Sequence, residues 1–421
     1  MGLCLLHGRA GSFESAFQYG RMALQETEQV SDAWLSAWIR LSIAVAHIYH
    51  GKLAEADDLL AEIEVLFAEC GDSYGMTIAL LWRTWVAYQS EGELQFLQHL
   101  ERLLVMMQNG DYEYLVQKRT LYGPKDIQQL VPMLIAAQSH APVSHYASYL
   151  LSGLGLEQAA YHPGYTLRIQ TLGEFKVFLG DRELSDKDWQ RGKAKELFQL
   201  LVVKRKQLVP KEEIMSLLYP DLDEKSGARD FKVALNALNS ALEPGRQARS
   251  NPFFVQRHGI SYGLNLASGL ILDVVEFEAH VKGGLEETNG ERATVLLEKG
   301  LQLYHGDYMP DRRYDDWCIE ERERIQVLYL RSLERMAKLC VETEAFDRAI
   351  HWCERIVQTD ECWEEAYRLL MYCHYRQNNR NQALKWYYRC CKELDRELGV
   401  APMESTKMMY DTVMQTYVTD L

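Results

Sequence analysis

Residues Lys225–Pro244, KSGARDFKVALNALNSALEP, decide how this chain is read. Ala228, Phe231, Leu235, Leu238 and Leu242 recur at steps of three and four, so they form one inward stripe of a helix. Arg229, Lys232, Asn236, Asn239 and Ser240 fall largely on the opposite side. The run Leu242-Glu243-Pro244-Gly245 stops the helix, because proline cannot continue it and glycine tolerates the turn. An apolar back and an Arg/Lys/Asn front suit a DNA major groove, where Asn reads adenine and Arg reads guanine. An ordinary amphipathic helix with a solvated face shows the same pattern. The neighbouring segments separate the two readings.

Upstream, Thr166–Leu172 and Phe175–Leu179 read as short strands, with turns at Gly173 and Gly180-Asp181 and a brief edge at Arg182-Glu183-Leu184. Ala194–Val203 reads as a helix with Leu197, Leu200 and Leu201 inward, and Lys211–Leu218 as a second helix after Val209-Pro210. Downstream, Phe253–Arg257 and Ile260–Leu264 form a hairpin around His258-Gly259. Strands, three helices and a hairpin in that order make a helix-turn-helix followed by a wing. Charge agrees. Residues 166–266 hold 17 Lys and Arg against 13 Asp and Glu, a net of +4, while the rest holds 29 against 47, a net of −18. One basic window inside an acidic chain is the pattern of a single domain that meets phosphate. Position then selects the DNA-binding residues. Arg229, Lys232 and Asn236 face the groove for base contacts, with Asn239 on the same side. Lys193, Lys195, Lys225, Arg257 and His258 serve as phosphate or wing contacts, which fix register without carrying sequence information.

These pieces resemble the OmpR/PhoB-type winged helix that opens Streptomyces antibiotic regulatory proteins. The likeness rests on Leu172-Gly173-Glu174-Phe175, on Lys193-Ala194-Lys195-Glu196-Leu197-Phe198-Gln199-Leu200-Leu201, on Leu217-Leu218-Tyr219-Pro220, and on Leu235-Asn236-Ala237-Leu238 with Leu242-Glu243-Pro244. It implies that the third helix enters the major groove and that the wing reaches the minor groove. One departure stands out: Leu238-Asn239-Ser240-Ala241-Leu242 replaces the family's frequent Leu-Arg-x-x-Leu, so Ala237 and Asn239 stand where basic residues are common.

From Leu272 onward the chain reads as helices. Trp317–Glu342 is one long amphipathic helix, and Phe346-Asp347-Arg348-Ala349-Ile350, Glu365–Met371 and Asn381-Gln382-Ala383-Leu384 recur at close to half a tetratricopeptide unit. This segment is similar to the bacterial transcriptional activator domain through Asp273-Val274 with Phe277, Tyr304-x-Gly306-Asp307-Tyr308, Trp317, and Glu397-Leu398-Gly399-Val400-x-Pro402. In that family it follows the winged helix directly, as here. The resemblance implies dimerisation or contact with RNA polymerase.

The first third is also helical. Gly11-Ser12-Phe13-Glu14-Ser15-Ala16 resembles the hinge of a tetratricopeptide-type helix pair, returns at His50-Gly51-Lys52-Leu53-Ala54-Glu55-Ala56, and returns more faintly at Glu91-Gly92-Glu93-Leu94. Trp34, Trp38, Trp82 and Trp85 share helix faces, as core or as the lining of a concave ligand groove. This third looks like the helical repeat of large maltose-regulator-like signalling ATPases. His162-Pro163-Gly164 marks its end.

Other classes are set aside by what the sequence lacks. There is no run of 18 apolar residues, no basic stretch ahead of an apolar N-terminal run, no phosphate-binding Gly-x-x-x-x-Gly-Lys-Ser/Thr loop, no His-Glu-x-x-His and no Gly-x-Ser-x-Gly. The nine cysteines are odd in number and include no Cys-x-x-Cys, which points to free thiols in a reducing cytoplasm. The expected fold is mainly α: tetratricopeptide-like helical repeats at 1–163 and 268–421 flank a small α+β winged-helix domain at 164–267. The expected function is that of a cytoplasmic bacterial transcriptional activator without catalysis, cofactor or metal. Its partners are double-stranded DNA, RNA polymerase, a second copy as homodimer, and a protein or small-molecule signal at the first repeat. The alternative is a helical-repeat adaptor whose winged helix does not bind DNA, a reading that draws on Ala237 and Asn239.

Overall fold

A computed structural model describes residues 1–90, 93–247, 249–266 and 269–415. Glu91 and Gly92 of the faint third hinge, and the expected boundary at 267/268, lie outside the described residues. The chain divides into two compact units. The first comprises Met1–Leu167 and Leu179–Leu270, and the second comprises Arg168–Phe178 with the chain from Ile271 onward. The fold is mainly helical with a small share of strand, as the periodicity predicts.

The first unit begins with α1 (Gly2–Arg9), α2 (Phe13–Val30), α3 (Ala33–Tyr49), α4 (Leu53–Glu69), α5 (Ser73–Gln89) and α6 (Glu93–Asn109), each packed on the next. From α2 to α6 the helices start 20 residues apart. The hinges repeat one design: Gly11 and Gly51 sit at positive φ, and Asp32 and Asp72 cap α3 and α5 by accepting from Leu35 N and Gly75 N at 2.9 and 2.8 Å. A helix pair therefore recurs every 40 residues, longer than the 34 or so of a tetratricopeptide unit. Ala16 and Ala56, the small residues of the sequence motif, are fully buried where helices touch. Trp38 and Trp82 are core, and the Trp82 indole donates to the Tyr122 carbonyl at 2.7 Å. Arg83 donates to Asp57 and Glu64 at 3.2 and 2.8 Å, and Arg102 reaches the same Glu64, which ties α4, α5 and α6 together. Short helices α7 (Tyr114–Gln117), α8 (Val131–Gln138) and α9 (Ser144–Gly153) follow.

Next come β1 (Leu167–Gln170), β2 (Lys176–Leu179) and β3 (Arg182–Glu183), then α10 (Gly192–Val203), β4 (Val209–Pro210), α11 (Lys211–Leu218), α12 (Glu224–Leu242), β5 (Val255–His258), β6 (Ser261–Leu264) and β7 (Leu270–Leu272). The expected strands and helices lie within two or three residues of their expected places and α11 has its expected bounds, while β4 and β7 were not anticipated as strands. In the first unit, β4, β6 and β5 form an antiparallel sheet in that order, with Val209 opposite Tyr262 and His258 opposite Ser261. The latter pairing leaves Gly259-Ile260 as a two-residue hairpin loop. Helices α10, α11 and α12 close over the sheet through Phe198, Leu201, Ile214, Leu238 and Leu242, and Phe231 meets Tyr262 edge to face at 5.1 Å.

In the second unit β2, β1 and β7 lie side by side, and α13 (Asp273–Glu286) starts directly from β7. The Asp273 carboxylate accepts from Thr171 N at 2.7 Å, Thr171 Oγ1 at 2.6 Å, Leu172 N at 2.9 Å and its own helix's Val274 N at 2.7 Å. Beyond α14 (Gly290–Leu303) the chain returns to the strand hairpin: Gly173 N donates to Asp307 O at 3.0 Å and Met309 N to Thr171 O at 2.8 Å. The backbones touch here. A Cβ on Gly173 would lie 3.1 Å from His305, and one on Gly306 would lie 3.1 Å from the Gly173 Cα. The Leu-Gly-Glu-Phe motif and the Tyr-x-Gly-Asp-Tyr motif are thus two sides of one contact. From α15 (Asp316–Glu342), the Arg322 guanidinium donates to the carbonyls of Tyr308, Met309, Arg312 and Arg313 at 2.6–3.1 Å. Arg324 joins Glu321 to the buried Glu278 of α13. Helices α16 (Phe346–Thr359), α17 (Glu364–Arg376), α18 (Arg380–Leu398) and α19 (Glu404–Gln415) complete the unit. The start of α16 and the start of α18 are 34 residues apart, the tetratricopeptide length. The α18 helix ends at Gly399 in the left-handed region, followed by buried Pro402.

Candidate nucleic-acid interface

Helix α12 is started by Asp223, whose carboxylate accepts from Ser226 N at 2.9 Å, with Glu224 in the first turn. Lys225, Arg229, Lys232, Asn236 and Ser240 are exposed and three or four residues apart, so they draw one line along the helix. Phe231, Ala234, Leu238 and Leu242 bury the other side, whereas Ala228 and Leu235 are only half-buried.

Between α12 and the β5–β6 hairpin runs a groove of about 850 Å³. Its cationic side chains are Lys211, Lys232, Arg246 and Arg257, joined by His258. Asn236, Asn239, Asn251 and Gln256 add amides. Among the described lining residues there is no Asp or Glu, although the whole chain carries a net charge of −14. Such a surface attracts anions, and a wall of amides offers both donors and acceptors.

The expected site residues divide. Lys232, Asn236, Asn239, Arg257 and His258 line this groove, and Arg229 and Lys225 continue the exposed stripe beyond it. The Lys232 ammonium makes no ion pair among the described residues. Arg229 pairs with its neighbour Asp230 at 3.0 Å, both exposed, a contact worth about 0–1 kcal/mol that leaves the guanidinium available. One N–H of Arg257 is occupied by the Gly259 carbonyl at 2.8 Å, and His258 Nε2 meets Gln256 Oε1 at 3.3 Å. Lys193 and Lys195 do not line the groove. The Lys193 ammonium donates to the Leu218 carbonyl at 2.7 Å and pairs with Glu196 at 2.9 Å, which fastens the start of α10 to the end of α11. Lys195 pairs with Asp186 at 3.4 Å.

Asn239 requires a correction. It is only 6 % exposed, and so is Ala237; neither belongs to the exposed face. The returning chain at Phe253 and Phe254 is fastened to the end of the helix. The cause is Glu243, read from sequence only as part of the helix stop. Its buried carboxylate accepts from Phe253 N at 2.8 Å and Phe254 N at 2.9 Å, which folds the returning chain over the helix end. Burial pushes the Glu243 pKa up, and the two amide donors and Arg246 oppose the rise. Four lining residues escape a helix-by-helix reading: Lys211, Arg246, Asn251 and Gln256. Lys211 opens α11 with its ammonium 6.0 Å from the Phe231 ring centre. Arg246 follows the helix stop and is held by Glu243 at 3.6 Å and by the Ser250 carbonyl. The recurrence of Arg246, Arg249 and Arg257 around the hairpin was the available signal.

His162 packs edge-on against Phe253 with ring centres 4.4 Å apart, and its Nδ1 accepts from Gly164 N at 3.0 Å. It is 3 % exposed, and burial lowers its pKa to about 4. The unfolded chain protonates this ring near pH 6.5, so its contribution is complete above that pH and is lost as the pH falls toward 4. Urea midpoints measured between pH 7 and pH 4 should fall more steeply for the natural chain than for His162→Phe. The difference approaches ~3 kcal/mol at the acid end. Parallel pH profiles would show that the ring is solvated.

Residues 272–414 match the family described as the bacterial transcriptional activator domain. No curated protein matches the chain. Among solved structures, Mycobacterium tuberculosis EmbR in complex with a low affinity phosphopeptide is similar at 16 % identity with a TM-score of 0.51. The similarity covers 60 % of this chain and 65 % of the EmbR chain, and is a likeness of fold. A circular tandem repeat protein with novel repeat topology aligns at 12 % identity over 98 % of this chain and 93 % of its own, with a TM-score of 0.18, too low to indicate a shared fold.

Proposed function

We propose that this chain, which carries a bacterial transcriptional activator domain at residues 272–414, is a cytoplasmic DNA-binding regulator that activates transcription. In this reading 164–267 is a winged helix of the OmpR/PhoB type: α12 enters the major groove and the β5–β6 hairpin reaches the minor groove. The repeat at 1–163 receives a protein or small-molecule signal. The tetratricopeptide-like repeat at 268–421 meets RNA polymerase or a second copy of the chain. The fold likeness to EmbR and the activator-domain match support the reading.

The observation that carries it is the groove between α12 and the hairpin, cationic and free of carboxylates among its described lining residues, in an otherwise acidic protein. Lys211, Lys232 and Arg257 neutralise phosphates there, while Arg229 and Asn236 project from the exposed stripe toward base edges. The working step is recruitment, with no bond made or broken. Occupancy of the repeats shifts the population of DNA-competent chains. Ala237 and Asn239, the residues on which the adaptor reading draws, are buried.

Anisotropy of a labelled mixed-sequence duplex titrated with the full chain, from 50 to 200 mM salt, tests this. Three phosphate contacts give a log–log slope of about −3, and Lys232→Ala makes it shallower by about one. Binding that ignores salt, or no binding at 50 mM, would sink the proposal and return attention to protein partners.

A further inference from the structure

A second cavity of the first unit, about 360 Å³, lies between α5, α8 and the segment ahead of β1. Its walls are aromatic: Trp85 and Tyr88 from α5, with Tyr161 and Tyr165 from the connecting segment. The amides of Gln89 and Gln129 interrupt the rings. Among the described lining residues there is no Asp, Glu, Lys or Arg. His162 also lines it. Because its Nδ1 accepts a backbone N–H, the neutral ring keeps its proton on Nε2, which is buried with no hydrogen-bond partner. The Trp85 Nε1–H is likewise buried without a partner. The His162 Nε2 edge lies beside Gly269 and Gln128, outside the lining, so Trp85 brings the orphaned donor of this wall, which is unusual because buried polar groups are nearly always paired.

We infer that this cavity binds an uncharged, planar heteroaromatic molecule of one or two fused rings that presents a hydrogen-bond acceptor. Ring faces stack on rings. The unpaired Trp85 N–H calls for an acceptor, and the glutamine amides supply matching donor and acceptor edges. A charged ligand finds no counter-ion: His162 is held neutral, and no ionised side chain lines the walls. The volume stands at the lower end of ligand pockets, which excludes larger molecules.

The cavity also touches the proposed reading head. Tyr165 Oη donates to the Leu242 carbonyl at 2.5 Å, at the last residue of α12. The Tyr165 ring lies 6.0 Å from that of Phe254, ahead of β5, and Gly245 beyond the helix end is part of the wall. A molecule that fixes Tyr165 therefore holds the helix end and the hairpin base that flank the groove. This coupling rests on the DNA-binding reading; the ligand site does not.

Saturation-transfer NMR on the full chain tests the site, with quinolin-2(1H)-one as probe and quinoline-2-carboxylate as its anionic counterpart. The lactam is expected to bind with a dissociation constant on the order of 100 µM, and the carboxylate at least about tenfold more weakly. Gly245→Phe fills the cavity, and its new Cβ meets nothing within 4 Å, so the fold is kept. It should weaken the lactam by about tenfold or more, and Gln129→Ala should weaken it less. No transfer to the lactam, equal binding of the anion, or undiminished binding by Gly245→Phe overturns the site. In a second arm the lactam should change duplex affinity, and duplex should change lactam affinity by the same factor. Unchanged affinity with duplex bound overturns the coupling. Loss of all duplex binding counts against the DNA-binding reading and leaves the first arm intact.

Discussion

Lys232→Glu combined with Arg257→Glu should abolish duplex binding at physiological salt, a loss on the order of 100-fold or more. The two cations face one groove from opposite sides, one on α12 and the other on the hairpin. Reversing both removes two phosphate contacts and places two repulsive charges in a surface that otherwise has no carboxylate among its described residues. Both side chains are exposed and neither supports the core, so the double variant should melt with the natural chain. Lys193→Glu with Lys195→Glu is the informative contrast. Those lysines lie off the groove and are engaged by Leu218, Glu196 and Asp186. Their reversal should change duplex affinity far less and thermal stability more. Anisotropy at 0.15 M salt measures the first quantity and differential scanning calorimetry the second. An equal loss of affinity in both double variants would show that net charge matters and that the groove does not.

Asp273→Ala should destabilise the second unit by roughly 3–5 kcal/mol and lower its melting temperature by ~10 °C. One carboxylate serves four donors here: Thr171 N, Thr171 Oγ1, Leu172 N and Val274 N. Three of them come from a strand hairpin a hundred positions earlier in the chain. Alanine leaves those N–H and O–H groups without an acceptor, and the missing partner for a buried donor costs more than the bond itself is worth. Asp273→Asn should be intermediate. One oxygen is retained, but the new NH₂ group faces donors where an acceptor stood. Calorimetric shifts under 2 °C for alanine would mean that the hairpin is held by its buried apolar face alone.

The parts of this fold that the sequence shows are those set by local rules. The exposed line through Arg229, Lys232 and Asn236 follows from helical periodicity, and the Gly51 hinge from the left-handed turn it makes. What escaped was set by distant chain. Asn239 shares the phase of Lys232 on a helical wheel, yet it is buried, and a wheel contains no tertiary contacts. Lys193 looks like any surface lysine until the end of α11 supplies a carbonyl for it. Arg246, Asn251 and Gln256 reached the groove because Glu243 draws the returning segment over the helix end. The 40-residue rhythm of the first repeat was measurable from Gly11 to Gly51, but tetratricopeptide likeness at the hinges masked its difference from the 34-residue spacing in the second unit.

The touching backbones of Gly173 and Gly306 bear on how this protein can be cut and spliced. The family match begins at Leu272, but the folded body to which it belongs also contains Arg168–Phe178. A gene fragment trimmed to 272–414 would discard the donors that saturate Asp273 and strip away Ile169, Leu172 and Val177, all buried. The matched segment is therefore not a portable cassette. Grafted behind a foreign reading head, it would have to inherit a strand hairpin bearing glycine opposite Gly306, since any side chain there would collide with the loop that carries His305.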